Sequence, residues 1–124
     1  MNERDEEMKP RKAERLTGCE IRRIGGASAK VSYGAYDGDG TLVADATHAI
    51  DDLALEFLVK KVYQVHSVQA LKDNNWRCAR CHGALRLQIH HRRYRSHGGT
   101  HRVENLEPVC AACHKVIHRL ERSK

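Results

Sequence analysis

Cys78-Ala-Arg-Cys81, His90-His91, Asn105, Cys110-Ala-Ala-Cys113-His114 and His118 mark the stretch whose reading decides the fold. Two Cys-x-x-Cys pairs bracket a His-His doublet, and a histidine pair one helical turn apart begins directly after the second of them. Four thiols suit one closed tetrahedral zinc site, because zinc takes sulfur ligands and has no redox chemistry to disturb them. The histidines fall outside that tally and form a second constellation. The pattern reads as one structural metal supporting one catalytic metal.

Working outward, residues 76–124 offer a thin apolar set for their length: Trp76, Leu85, Leu87, Ile89, Val103, Leu106, Val109, Val116, Ile117 and Leu120. A structural zinc contributes on the order of 10–16 kcal/mol in small zinc peptides, enough to offset the shortfall. The turn Cys78-x-x-Cys81-x-Gly83 reads as a knuckle in which Gly83 permits the tight backbone. Leu85, Leu87 and Ile89 alternate with Arg86 and Gln88, which predicts a strand delivering His90 and His91 at its end. An arginine-rich loop follows, with Gly98-Gly99 as a bend. Asn105-Leu106 re-enters an extended segment, and Pro108 keeps that segment out of the centre of a sheet. A helix from about Ala111 to Arg122 carries His114 and His118 on one face, as a shared metal ion would require. Strand, loop, strand, helix makes a ββα unit.

Upstream, Lys30–Tyr36 and Thr41–Asp45 flank Asp37-Gly-Asp-Gly40 and predict a β-hairpin. The Asp-x-Asp-Gly fragment lacks the rest of a calcium loop, so it is read as a turn. From Thr47 or His48 to about Asp73, the residues Ile50, Leu53, Ala54, Phe57, Leu58, Val62, Val65, Val68 and Leu71 recur at helical spacing, with Thr47 as N-cap and Asn74-Asn75 as the end. Core packing is the expected use of that stripe; a homodimer seam through residues 47–73 is the alternative. Residues 1–25 are dense in charge and read as a flexible tail, 26–75 as hairpin plus helix, and 76–124 as the metal-bearing module. Cys19 reads as a free thiol. His48 and His66 read as surface histidines, and His82, His97 and His101 as exposed loop residues.

Net charge is +6, and its distribution is uneven. Up to Asn75 there are 13 acidic and 11 basic residues; from Trp76 onward there are 3 and 11. A polyanion is the natural partner of such a segment, and nucleic acid is the commonest. No apolar run reaches the roughly 20 residues of a membrane span, and the charged N-terminus has no apolar signal core, so a cytoplasmic, DNA-associated protein without membrane contact is expected. In that setting paired Cys-x-x-Cys spacing favours metal over disulfides.

The His90-His91 doublet, Asn105, and His114 or His118, set within two Cys-x-x-Cys pairs, resemble the HNH endonuclease family and its ββα-metal, treble-clef-like fold. The run Tyr94-Arg-Ser-His-Gly-Gly99 to Asn105-Leu106 and Cys110-Ala-Ala-Cys-His114 is similar to the cysteine-bearing branch of that family. The resemblance covers about residues 76–122. It implies an α+β fold with Cys78, Cys81, Cys110 and Cys113 on a structural Zn²⁺. It implies that His91 is the general base and that His90, His114 and His118 are ligands of a catalytic divalent cation such as Mg²⁺, Mn²⁺ or Zn²⁺. His118 is the weakest of these, since it could instead bind phosphate or face solvent. Asn105 would brace the loop that aims His91, and Arg92, Arg93 and Arg95 would hold phosphates. The implied activity is metal-dependent hydrolysis of DNA phosphodiester bonds. The competing reading is a non-catalytic zinc module that binds nucleic acid or protein.

Overall fold

The computed structural model describes residues 8–25 and 30–122. Residues Glu3–Glu7 of the expected tail, and Gly26, lie outside them. The described residues form two compact units, one ending at Val65 and one beginning at His66. No helix among them is long and apolar enough to cross a membrane.

In the first unit, helix α1 (Pro10–Thr17) opens with proline at its first turn and closes on Gly18, whose left-handed φ of 72° lets its N–H reach the Glu14 carbonyl at 2.8 Å. Strands β1 (Glu20–Gly25), β2 (Val31–Tyr36) and β3 (Leu42–His48) form an antiparallel sheet in that order. The expected hairpin is β2–β3. Its turn is built by Asp37, whose Oδ1 accepts the N–H groups of Asp39 and Thr41 at 2.9 Å each.

The tail reading is corrected by α1 and β1, which occupy residues 10–25. Ala13, Leu16 and Cys19 lie three residues apart within the charged run and all three are buried. That small apolar face outweighs the composition around it, because burial against a partner element decides order where local propensity is weak.

Helix α2 (Asp51–Asp73) begins later than expected. Thr47 is not its N-cap: it lies in β3, with its hydroxyl 2.6 Å from that of Ser32. The Ile50 N–H instead donates to His48 Nδ1 at 3.0 Å. The buried face also differs from the expected stripe. Ala54, Leu55, Leu58, Val59 and Val62 pack with Tyr33, Ala35 and Ala46 of the sheet, whereas Ile50, Phe57 and Val65 stay exposed. Leu55 and Val59 offered a second apolar track, and the sheet took that one; periodicity alone could not choose between them.

In the second unit, α2 ends where Asn75 and Trp76 take left-handed φ values of 55° and 58°. Strand β4 (Leu87–His91) pairs antiparallel with β5 (Leu106–Cys110), setting Leu87 opposite Cys110, His90 opposite Glu107 and His91 opposite Leu106. Helix α3 (Ala111–Arg122) follows at once. Pro108 sits in a two-stranded ribbon, where its missing N–H breaks no central ladder. The core is thinner than composition suggested: Cys78, Leu106, Pro108 and Val109 are buried, whereas Trp76, Leu85, Val116 and Leu120 are at least half exposed.

Leu58→Ala, at a fully buried position, should destabilise the first unit by about 2–5 kcal/mol in urea unfolding. Phe57→Ala should cost under about 1 kcal/mol. Equal costs at the two positions would contradict the observed face.

Candidate functional site

The Sγ atoms of Cys78, Cys81, Cys110 and Cys113 lie within 4.8 Å of one another. A turn after α2 supplies the first pair, and the β5–α3 junction supplies the second. In the first turn the Cys78 N–H donates to the Gly83 carbonyl at 2.7 Å and the His82 N–H to the Cys78 carbonyl at 3.0 Å. The left-handed residue in this turn is His82 (φ 64°), directly before the Gly83 that was expected to permit the tight backbone. A Cβ on Gly83 would stand 3.4 Å from Cys81 Sγ, an ordinary contact distance, so space beside the thiol does not demand glycine there. Backbone N–H groups of Arg80 and Cys81 approach Cys78 Sγ at 3.4 and 3.5 Å, and that of Cys113 approaches Cys110 Sγ at 3.4 Å.

Burial works to raise the Cys78 thiol, but hydrogen bonds from the Cys81, Cys110 and Arg80 backbone bring it down to about 6. Cys113 is pushed up to about 12, first by its hydrogen bonds with Cys110 and Cys81. Thiols this close cannot all ionise unless a cation joins them. Together they could hold a zinc ion, and this four-sulfur cluster fits a ββα-metal module.

A second cluster sits where β4 meets α3. His90, His114 and His118 each offer a ring nitrogen within 4.8 Å of the others, and His90 is buried. His114 Nδ1 lies 2.6 Å from Gln88 Oε1, an oxygen that can only accept. That contact puts the His114 proton on Nδ1 and its lone pair on Nε2, facing His118 Nε2 at 2.9 Å. Tyr94 stacks on His118 with 11° between the rings, and its hydroxyl lies 3.4 Å from His118 Nδ1. Outer contacts that fix ring orientation in this way suit imidazoles able to hold a divalent ion. Burial, then the neighbouring His118, holds His114 below the ordinary imidazole value.

His91, one residue beyond His90, is half-buried, with Nε2 3.0 Å from Nδ1 of His101. Burial, then Arg95, then His90, lowers its proton affinity. His101, expected to be exposed, is 6% exposed. Burial, then Arg95, His91 and His66, drives it down to about 4.

The loop between β4 and β5 is held by Asn105. Its Oδ1 accepts the Arg93 N–H at 2.8 Å, while Nδ2 donates to the Thr100 and Arg93 carbonyls at 2.7 and 3.2 Å. The Asn105 carbonyl accepts the Arg92 N–H at 2.8 Å. Gly99 is packed so tightly that a Cβ would fall 1.7 Å from the Arg93 carbonyl oxygen. Of the loop arginines, Arg93 donates Nε to the His97 carbonyl at 2.6 Å, Arg95 is exposed, and Arg92 lies 3.4 Å from the buried carboxylate of Glu107. Glu107, which also receives Arg80 Nε at 2.5 Å, went unnoticed in the sequence, as did the partners Gln88 and His101. The only available signal for Glu107 and Gln88 was strand register, which places them around His90; nothing local marked His101.

Gly99→Ala should loosen this loop without unfolding the first unit. Amide exchange at Arg93 and Gly99 should accelerate by ~30-fold, the equivalent of about 2 kcal/mol. Unchanged protection at both amides would mean that the loop does not depend on the close approach.

Residues 77–120 match the family model described as HNH endonuclease. No match was found among curated proteins or among solved structures. The ββα order and the four-thiol cluster fall on the same residues as this match to the HNH endonuclease family model.

Proposed function

We propose that this protein is a metal-dependent endonuclease that hydrolyses phosphodiester bonds of DNA, with His91 as its general base. The observation that carries the reading is the gathering of three imidazoles from β4 and α3 next to a fourth, His91, whose burial and proximity to Arg95 favour its neutral form. A neutral imidazole can take a proton from an attacking water, a contribution of typically 10²–10⁴ in rate.

In this reading Cys78, Cys81, Cys110 and Cys113 hold a structural Zn²⁺, and His90, His114 and His118 hold a divalent cation such as Mg²⁺, Mn²⁺ or Zn²⁺. When bound there, that cation supplies Lewis-acid stabilisation of the charge on the phosphoryl group and the departing oxygen. Asn105 keeps the loop closed so that His91 stays aimed. Arg93 and Arg95 reach phosphate oxygens, and Arg92 shares its guanidinium between Glu107 and the backbone of DNA. The 3-to-11 balance of acidic to basic residues from Trp76 onward supports a polyanionic substrate. A non-catalytic zinc module explains the thiols and the charge but leaves the imidazole cluster without a task. Pairing of two chains through residues 47–73 belongs to the same proposal, since Ile50, Phe57 and Val65 leave apolar surface open in the single chain. A mass that stays at one chain across a concentration series in light scattering would remove it.

His91→Ala should lower plasmid cleavage by 10²–10⁴-fold at saturating metal while leaving DNA affinity and zinc content unchanged. Cleavage by the variant at the wild-type rate would overturn the assignment. Removal of zinc by a strong chelator should abolish the helical signal of α3 and leave the first unit folded. A chelated protein that keeps α3 would show that the thiols are not holding the module together.

A further inference from the structure

We propose that His101 is the positioning residue for His91, accepting a hydrogen bond from His91 Nε2–H on its own Nδ1 and so fixing the proton-accepting lone pair of His91 on Nδ1. The inference rests on the reading of His91 as the base. Its geometry is independent of that reading: the two ring nitrogens lie 3.0 Å apart, with the ring centroids 5.2 Å apart and the planes 58° to each other.

One proton lies between these two nitrogens, and its owner decides what His91 can do. If His101 Nδ1 donated, neutral His91 would carry its own proton on Nδ1 and have no lone pair to turn toward a water. With the bond in the other sense, His91 Nδ1 is the base and Nε2–H points at His101. After His91 takes a proton, the imidazolium still donates the same hydrogen bond, so no side chain has to turn during the step. His101 stays neutral throughout, because it is buried and because a second imidazolium facing the first would be repelled.

Carboxylates that orient a catalytic histidine do the same directional work but also raise its proton affinity. A neutral imidazole sets the direction without that added pull. The partner is also held in place. The His101 carbonyl lies 2.8 Å from His66 Nδ1, and since a carbonyl only accepts, His66 must donate there. Asn105 Nδ2 donates to the preceding carbonyl, of Thr100, at 2.7 Å. The peptide carbonyls on either side of the His101 backbone are thus tied, one to α2 and one to the end of the loop, so that the ring has little freedom to leave His91.

Long-range ¹H–¹⁵N spectra of the full zinc-loaded chain read the tautomer directly. Neutral His91 should carry its proton on Nε2, and a wild-type spectrum with the proton on Nδ1 would overturn the proposal even if no variant were made. Two variants add a functional readout. His101→Leu removes the acceptor and should lower kcat by about 10²-fold, with KM and DNA affinity changed by less than about 3-fold. His101→Asn keeps an acceptor oxygen near the place of Nδ1 and should retain kcat within about 10-fold of wild type. A leucine variant that cleaves at the wild-type rate, or an asparagine variant as slow as the leucine one, would contradict the positioning role. A wild-type chain with His91 protonated on Nε2 that cleaves no DNA with any divalent metal would overturn the nuclease reading while the hydrogen-bond assignment stood.

Discussion

The convergence of four thiols from two distant turns is the constraint on which the C-terminal unit depends. Cys81 and Cys110 are 29 residues apart in the chain, yet their sulfurs are 3.6 Å apart. Besides the thiols, the β4–β5 ladder and two backbone hydrogen bonds, Ala79 N–H to the Pro108 carbonyl and Ala111 N–H to the Arg86 carbonyl, close that distance. Among the described residues, the buried apolar ones from the first turn to β5 are Cys78, Leu106, Pro108 and Val109, a set too small to hold the unit by itself. The Ala79 N–H bonded to the Pro108 carbonyl at 2.8 Å shows the first turn lying directly on β5, so whatever fixes the thiols also fixes the strand. The register of β4 against β5 then places the histidine doublet, and the start of α3 at Ala111 places His114 and His118 beside it.

Once the ends of the loop are fixed, its interior is governed by hydrogen bonds to the backbone rather than by hydrophobic packing. Asn105 closes it through four bonds, three from its side chain and one to its carbonyl. Gly99 permits the chain to pass at a distance no side chain would allow. The buried Glu107 carboxylate, opposite His90 in the sheet, is answered by Arg80 and Arg92. A charge placed there without partners would cost several kcal/mol. The exposed loop residues next to His91 are basic, while burial holds His91, His101 and His114 toward neutrality, in keeping with the function proposed above.

How much of this could be read beforehand follows from how local each feature is. The Cys-x-x-Cys spacing, the bounds of α3 and the Asp37 turn are short-range patterns, and each stands in the structure where the sequence put it, whereas the strand expected from Leu85 begins only at Leu87, after Arg86 takes a left-handed φ of 52°. The features that were misread depend on partners far along the chain. Ala13, Leu16 and Cys19 looked like isolated apolar residues in a charged run until a sheet and a helix covered them. Phe57 was expected in the buried stripe and Leu55 was not, yet the sheet covers Leu55 and leaves Phe57 exposed. His101 had no local mark at all, because its contact with His91 exists only when Asn105 has closed the loop. The functional roles proposed for these residues lean on the match to the HNH family model over residues 77–120; the sheet and helices before them gave no comparable sign.

The proposed function requires two metal sites with different donors, and X-ray absorption separates them most directly. Zinc-loaded protein should give a zinc edge with four sulfur neighbours at about 2.3 Å. One equivalent of cobalt(II) added to it should then give a cobalt edge with nitrogen and oxygen neighbours and no sulfur. Sulfur in the cobalt shell, or zinc spread over imidazoles when only one equivalent is bound, would contradict the division between the thiol cluster and the His90, His114, His118 cluster.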